Sequence, residues 1–236
     1  MRLSAACALF ALLSLASCHE EDDSRPVSYE VRMATLHRSG RDFILDVDNV
    51  GQRAVPDSTL LVKRGLREDG QRLIASYTSA YSGSGAVSAV LYDVRGVLTK
   101  SFSDAPADES ASKALGEDAV DVAAVWLAGG YLNVGMRLSP VTASKAHTVA
   151  AYLTGDKRDA LPVVELRHNL NGNASATDGS LSYASFALPA DGGVGEGCYL
   201  TYLSARGTKR YVRVSGSTGG VAVADSEDSQ DTGLGR

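Results

Sequence analysis

The sequence predicts an all-β protein, a small five-stranded barrel followed by a β-sandwich. Three observations carry that expectation. From residue 28 onward apolar and polar side chains alternate with period two, the signature of strands that bury one face. The apolar runs are short and separated by Gly, Asn and Asp, as in antiparallel folds. The alternation breaks off at "SDAPADESASKALGE" (103 to 117), where Ala, Ser and acids take over and divide the strands into two sets.

The chain opens differently. Arg2 precedes residues 3 to 17, nearly all Leu, Ala, Ser or Phe. That span is shorter than the roughly 20 apolar residues of a membrane-crossing helix and fits the apolar core of a signal peptide. Its end, Leu15-Ala16-Ser17-Cys18, resembles a bacterial lipobox, which makes Cys18 the expected first mature residue, carrying palmitate-type lipid on its sulfur. The plainer alternative is an ordinary signal peptide with an incidental cysteine. Removing residues 1 to 17 leaves 219 of the 236 residues, with 22 basic and 28 acidic side chains and a net charge of −6. Without a basic stripe such a chain is a poor nucleic-acid binder, since phosphate neutralisation dominates that affinity. Residues 18 to 27, "CHEEDDSRPV", read as a lipidated, acidic, solvated tether.

Residues 28 to 102 are expected to form the barrel. In "SYEVRMATL" Tyr29, Val31 and Met33 alternate with Glu30 and Arg32, and in "RDFILDVD" Phe43, Leu45 and Val47 alternate with Asp42 and Asp46. The runs "TLLVK" (59 to 63), "RLIASYT" (72 to 78) and "AVSAVLYDVRGVLTK" (86 to 100) complete five strands. The last is long enough to serve two sides of a closed sheet, and Gly96 suits a bend at a barrel corner. Residues 103 to 118 read as a connector with a helical turn or two. Residues 119 to 224 are expected to form the sandwich. There "YLNVGMRL" puts Leu132, Val134, Met136 and Leu138 on one face, and Tyr131, Asn133 and Arg137 on the other. The runs at 147–153, 161–170, 182–188, 198–204 and 208–214 follow as further strands. The Gly-, Ser- and Asp-rich residues 225 to 236 have too little apolar surface to order themselves.

No catalytic, cofactor or metal constellation emerges. Of the three cysteines, Cys7 lies in the signal and Cys18 takes the lipid, so Cys198 has no partner and is expected to be a buried structural thiol. His37, His147 and His168 lack a paired ligand motif, although Glu165 lies close to His168 in sequence. "GSG" (83 to 85) lacks the strand–elbow–helix frame of a serine nucleophile and reads as a turn. Gly192 to Gly197 lead into a strand and not a helix, so a flexible hairpin loop is expected in place of a phosphate cradle. Trp126, beside Gly129, Gly130 and Tyr131, is expected in the second domain's core or at its junction with the barrel. A binding platform is the alternative.

"WLAGGYLNVGMRL" (126 to 138), "KAHTVAAYL" (145 to 153) and "PVVELRHNLNG" (162 to 172) resemble the C-terminal half of NigD-like lipoproteins. "FILDVDNVGQRAVP" (43 to 56) and "DGQRLIASYT" (69 to 78) resemble the N-terminal half more loosely. The resemblance implies a secreted lipoprotein of Bacteroidetes-type bacteria, an OB-like N-terminal barrel, a C-terminal β-sandwich, and an immunity or accessory role beside a bacteriocin. In such bacteria Glu20, Glu21, Asp22 and Asp23, directly behind the lipidated cysteine, resemble an export signal. They also repel anionic headgroups and hold the folded part off the bilayer. The expected address is therefore the outer membrane, lipid-anchored and facing the exterior, with a periplasm-facing lipoprotein as alternative. Two functions stand at this stage. One is a non-catalytic envelope lipoprotein binding an unknown protein or glycan, without cofactor. The other is a hydrolase of an envelope or extracellular polymer whose acids are scattered through both domains.

Overall fold

A computed structural model describes residues 29–81, 87–174, 179–216 and 222–223. Cys18, Glu20, Glu21, Asp22 and Asp23, the turn expected at 83–85 and the tail beyond residue 223 lie outside the described residues.

The first sheet is a closed barrel of β1 (Glu30–Ser39), β2 (Asp42–Val47), β3 (Gly51–Val55), β4 (Gln71–Tyr81) and β5 (Val87–Gly96), in the order β1-β2-β3-β5-β4. β3 and β5 close it in parallel, Ala54 opposite Ser88, and every other pairing is antiparallel. This is the five-stranded OB-like arrangement. Leu36, Leu45, Val47, Leu73, Tyr77 and Val94 fill the interior.

Two expectations for this half are corrected. "TLLVK" is not a strand but helix α1 (Thr59–Lys63), whose Leu61 plugs one end of the barrel with no exposure. The Asp57 carboxylate accepts the Thr59 N–H at 2.9 Å, satisfying a donor that a helix start leaves free, and Gly65 turns the chain out with φ +72°. The third strand is instead Gly51–Val55, which carries little apolar alternation. On β1, Ala34 and Leu36 are the interior residues, while Tyr29 and Val31 are 58% and 60% exposed. Met33 shares their outward face and is buried only because the second half of the molecule sits on it.

The long run 86 to 100 does serve two sheets, but only one is the barrel. It stops at Gly96, where a Cβ would meet Leu66 Cδ2 at 3.1 Å, and resumes as β6 (Leu98–Ser101) in the sandwich. After α2 (Glu109–Leu115) come β7 (Asp121–Ala128), β8 (Tyr131–Leu138), β9 (Thr148–Arg158), β10 (Leu161–Asn169), β11 (Ser180–Ala187), β12 (Gly197–Leu203), β13 (Lys209–Ser215) and β14 (Ala222–Val223). One sheet has the order β14-β7-β8-β11-β6, the other β13-β12-β10-β9. Their inner faces meet in one core that includes Leu132, Val134 and Met136 as the alternation required, with Leu166, Phe186 and Leu200 from the other strands. Cys198 lies in that core, its thiol pushed up to about 12 by burial, so it is not a reactive thiolate at neutral pH. Gly192–Gly197 is no flexible hairpin. It crosses from one sheet to the other through a 3₁₀ turn, Val194–Glu196, whose Val194 is fully buried.

The outer face of the five-stranded sheet rests on the barrel, and a buried charge joins them. Arg72 of β4 has no solvent exposure. Its guanidinium makes a bidentate pair with Asp48, 2.7 Å from Nη1 to Oδ1 and 2.6 Å from Nη2 to Oδ2. Nη1 also reaches Thr35 at 3.1 Å, and Nη2 reaches Asn133 Oδ1 of β8 at 3.1 Å. Ser185 of β11 donates to the same Asn133 oxygen at 2.7 Å. The Tyr131 ring lies 4.8 Å from the guanidinium, and its hydroxyl donates to Gly70 O at 3.3 Å. Gly129 has φ +61°, and a Cβ there would stand 2.5 Å from Asp48 Oδ1, so only glycine fits beside the ion pair. Tyr131 thus serves the junction as expected. Trp126 does not reach the core; it is half-buried on the sheet's outer face, edge-on to Tyr183 at 6.3 Å. Breaking a buried pair strands the remaining charge, so Asp48→Ala is expected to lower the unfolding free energy by about 3–5 kcal/mol. Urea denaturation followed by circular dichroism measures this, and Arg72→Met combined with Asp48→Ala should lose less.

Candidate functional site

With one sheet face taken by the barrel, the outer face of the four-stranded sheet is the one the barrel leaves uncovered. Alternation on β10 sends Val164 and Leu166 inward and Glu165 and Arg167 outward. Tyr152, Thr154 and Asp156 of β9, Thr201 of β12, and Lys209 and Tyr211 of β13 share that outward face. The connector lies along it. Ser103 N donates to Ala151 O at 2.8 Å, and Asp108 caps α2 by accepting the Ala111 N–H at 2.8 Å. From α2 and the turn after it, Ser112 Oγ, Gly116 O and Glu117 all accept from Arg167, at 2.8, 2.8 and 3.0 Å.

Two clefts open between connector and sheet, of about 220 and 250 Å³, and they form one groove because Glu165 and Lys209 line both. Glu165 sits at its midpoint. Arg167 Nη1 reaches one carboxylate oxygen at 2.9 Å and Lys209 Nζ the other at 3.3 Å. Burial, with the Glu165 charge beside it, pushes the Tyr152 phenol above its ordinary pKa. Hydrogen bonds from Ser112 and then Arg167 hold Glu117 below the usual carboxylate range. At one end of the face, Arg158 lies over the rings of both Tyr199 (5.4 Å) and Tyr211 (4.8 Å), and Tyr199 donates to Asp159 at 2.5 Å.

A second cluster lies at the other end of β10. His168 Nδ1 is 2.9 Å from Ala119 O, and His168 Nε2 is 3.1 Å from His147 Nδ1. The Ala119 carbonyl requires a proton on His168 Nδ1, which leaves Nε2 of the neutral ring as an acceptor facing His147 Nδ1. His147 Nε2 faces Ser139 Oγ and Ser139 O, each at 3.2 Å. The order hydroxyl, histidine, orienting group is that of an activated nucleophile, but the cavity beside it holds only about 10 Å³ and the Ser139 hydroxyl already donates to Ala174 O. The cluster therefore works as a clasp. Asn173 completes it, its Oδ1 accepting from Thr142 N and Ala143 N at 2.8 Å.

Glu165 and His168, neighbours in sequence, project to opposite faces of β10. His37 is on the barrel beside Asp69 at 3.5 Å, away from the other two histidines. Among the described residues no group of three or more His, Cys, Asp or Glu is placed to hold a metal. Tyr152, Arg167, Thr201 and Lys209 were not legible as a site, because their only sequence signal is that they occupy the polar positions of alternating strands.

Burial lowers the His168 pKa below 6.5, so the folded protein resists a proton that the unfolded chain accepts. Its contribution to stability is complete above about pH 6.5 and is lost as pH falls through the folded value. Asp118, whose carboxylate accepts the Leu170 N–H at 2.7 Å, opposes the shift without reversing it. Thermal unfolding from pH 7 down to 5 should show this loss, and His168→Gln, which cannot take up the proton, should show a shallower slope.

The chain from residue 103 to residue 211 matches the family model of the NigD-like C-terminal beta sandwich domain. No curated protein matches the chain. Among solved structures, a NigD-like immunity protein from Bacteroides caccae is 21% identical, with a TM-score of 0.56 over 84% of this chain and 99% of that one. A candidate toxin-related protein from Parabacteroides distasonis is 17% identical, with a TM-score of 0.63 over 80% and 95%. A candidate lipoprotein from Bacteroides fragilis is 9% identical, with a TM-score of 0.58 over 81% and 99%. These three share the fold over nearly their whole length, barrel as well as sandwich. Residues 103–211 are a NigD-like C-terminal β-sandwich domain.

Proposed function

We propose that the protein is a lipid-anchored outer-membrane lipoprotein, displayed on the cell exterior, that binds a macromolecular partner without transforming it. The observation that carries the binding role is the groove of Glu165, Lys209 and Tyr211 on the one sandwich face the barrel leaves uncovered. The anchor rests on Leu15-Ala16-Ser17-Cys18 and on the likeness to a candidate lipoprotein, and the surface address rests on Glu20 to Asp23. The likeness to an immunity protein supports a partner of macromolecular size. The hydrolase alternative draws no support from the groove. Its central carboxylate is already paired with two cations, whereas a nucleophile needs an open approach.

Three experiments test this reading. Cys18→Ala is expected to move the protein from the membrane fraction to the soluble one. Replacing Glu20, Glu21, Asp22 and Asp23 by alanine is expected to leave it in the membrane but protected from protease added to whole cells. Equal protease access in that variant and the parent would make the acids a spacer only. For the groove, lipid-free protein immobilised and exposed to solubilised envelope is expected to retain a partner that Lys209→Glu with Tyr211→Ala does not.

A further inference from the structure

Resting on the groove as the binding face, the geometry points to its ligand class: we infer that it takes an extended segment of an uncharged polysaccharide.

The first ground is that the fixed charges on the floor are already neutralised. Glu165 is paired with Arg167 and Lys209, and Arg167 is paired with Glu117 as well. All three terminal nitrogens of Arg167 are engaged within the protein, Nε on Gly116 O, Nη1 on Glu165 and Nη2 on Ser112 and Glu117. An anionic ligand would find no free guanidinium there, and a cationic one would have to displace both Arg167 and Lys209 from Glu165. The floor therefore offers a charged ligand no free counter-charge, and the remaining carboxylates are Asp118, which accepts from Leu170 N, and Asp156 on the rim.

The second ground is that it keeps unused hydrogen-bonding capacity of both signs. Lys209 makes one bond to Glu165 and has two further N–H groups. Asp156 offers acceptors on the rim and Tyr211 a phenol. Thr201 is 1% exposed, lines the groove, and has an Oγ1 with no hydrogen-bond partner among the described residues. A buried hydroxyl left without a partner is unfavourable where an isosteric valine would not be, and a ligand hydroxyl at this spot would complete it. Hydroxyl groups, each donor and acceptor at once, match such a mixed lining without adding charge. A peptide crossing the face of a sheet finds no strand edge for its backbone, so the main-chain pairing that usually holds an extended peptide is missing. The Tyr211 ring, 38% exposed and held from one side by Arg158, adds apolar surface for the C–H face of a sugar ring.

The third ground is shape. The two clefts lie in line along β10 and β12, from Asp156 and Val163 in one to His168 and Leu203 in the other, with Glu165 and Lys209 lining both. Such a trough suits several consecutive units of a linear polymer.

The test uses the lipid-free protein and a panel of neutral oligosaccharides of four to eight units, namely glucans, mannans, galactans and xylans. Polygalacturonate oligomers and an acidic and a basic decapeptide serve as comparators, and titration calorimetry is the readout. At least one neutral oligosaccharide is expected to bind, with longer chains binding more tightly. Thr201→Val is expected to weaken it about tenfold while leaving the urea midpoint unchanged or higher. Tyr211→Ala, on an exposed ring, is expected to weaken it without unfolding the domain. Three results would overturn the inference: no neutral oligosaccharide binding at millimolar concentration, tighter binding of polygalacturonate or of either peptide, or binding indifferent to both substitutions. If the envelope partner is nevertheless retained in a groove-dependent way and proves to be a protein, the binding role stands and the glycan assignment alone falls.

Discussion

The structure depends on a guanidinium that water cannot reach. Arg72 is paired with Asp48 inside the barrel's own outer layer, yet both are sealed from solvent only because Asn133, Tyr131 and Ser185 of the sandwich close over them. A charge in that position is tolerable while both terminal nitrogens are bonded, as Nη1 and Nη2 are here. Undocking the two halves would expose the pair to water and empty the sites on Asn133, so docking and pairing require one another. The junction is consequently specific as well as apolar. Gly129 allows nothing larger near Asp48, and the Asn133 amide is fixed by its bonds to the carbonyls of Ala128 and Tyr131.

That junction also decides which face of the sandwich stays open. A β-sandwich has two outer faces, and here one is consumed by the barrel. The other is half-roofed by the connector, which is ordered by the Asp108 cap and by Arg167 reaching up from β10. The residue that holds the roof in place is the same residue that neutralises Glu165 at the groove's centre. Shape and electrostatics of the groove therefore have a common origin. The His147–His168 clasp secures the far end, tying β9 and β10 to the carbonyl of Ala119 just before β7.

The alternating strands were legible wherever one face is wholly apolar. β2 and β8 are read correctly residue by residue, because Phe43, Leu45 and Val47, and Leu132, Val134 and Met136, each line a continuous core. β1 misleads. Its odd-numbered residues are the more apolar at the start, but that face is outward, and its lower half is buried by a unit more than a hundred residues away in sequence. β7 was not singled out because Trp126 and Ala128 interrupt a two-residue period with apolar side chains on both faces. α1 carried a legible start and stop, Asp57-Ser58 before it and Gly65 after it, that the branched and leucine-rich run "TLLVK" obscured. The groove was beyond reach, since it is built from outward polar positions on four strands whose order in the sheet, β13-β12-β10-β9, is not their order in the chain.

The position of β1 has a mechanical consequence. It is the first described strand of the chain, and it is not at an edge. β2 pairs with it from Ala34 to Ser39, and β4 pairs with it over seven residue pairs from Glu30 to Leu36. Antiparallel hydrogen bonds lie across the strand axis, so a pull along β1 from Tyr29 loads the β4 ladder in shear, many bonds at once, instead of peeling them open singly. At the far end of that ladder stands Arg72, opposite Thr35 and bonded to it. Force passed from the sandwich to Tyr29 is therefore borne by the β1–β4 ladder as a whole, with the Arg72–Thr35 bond near its end.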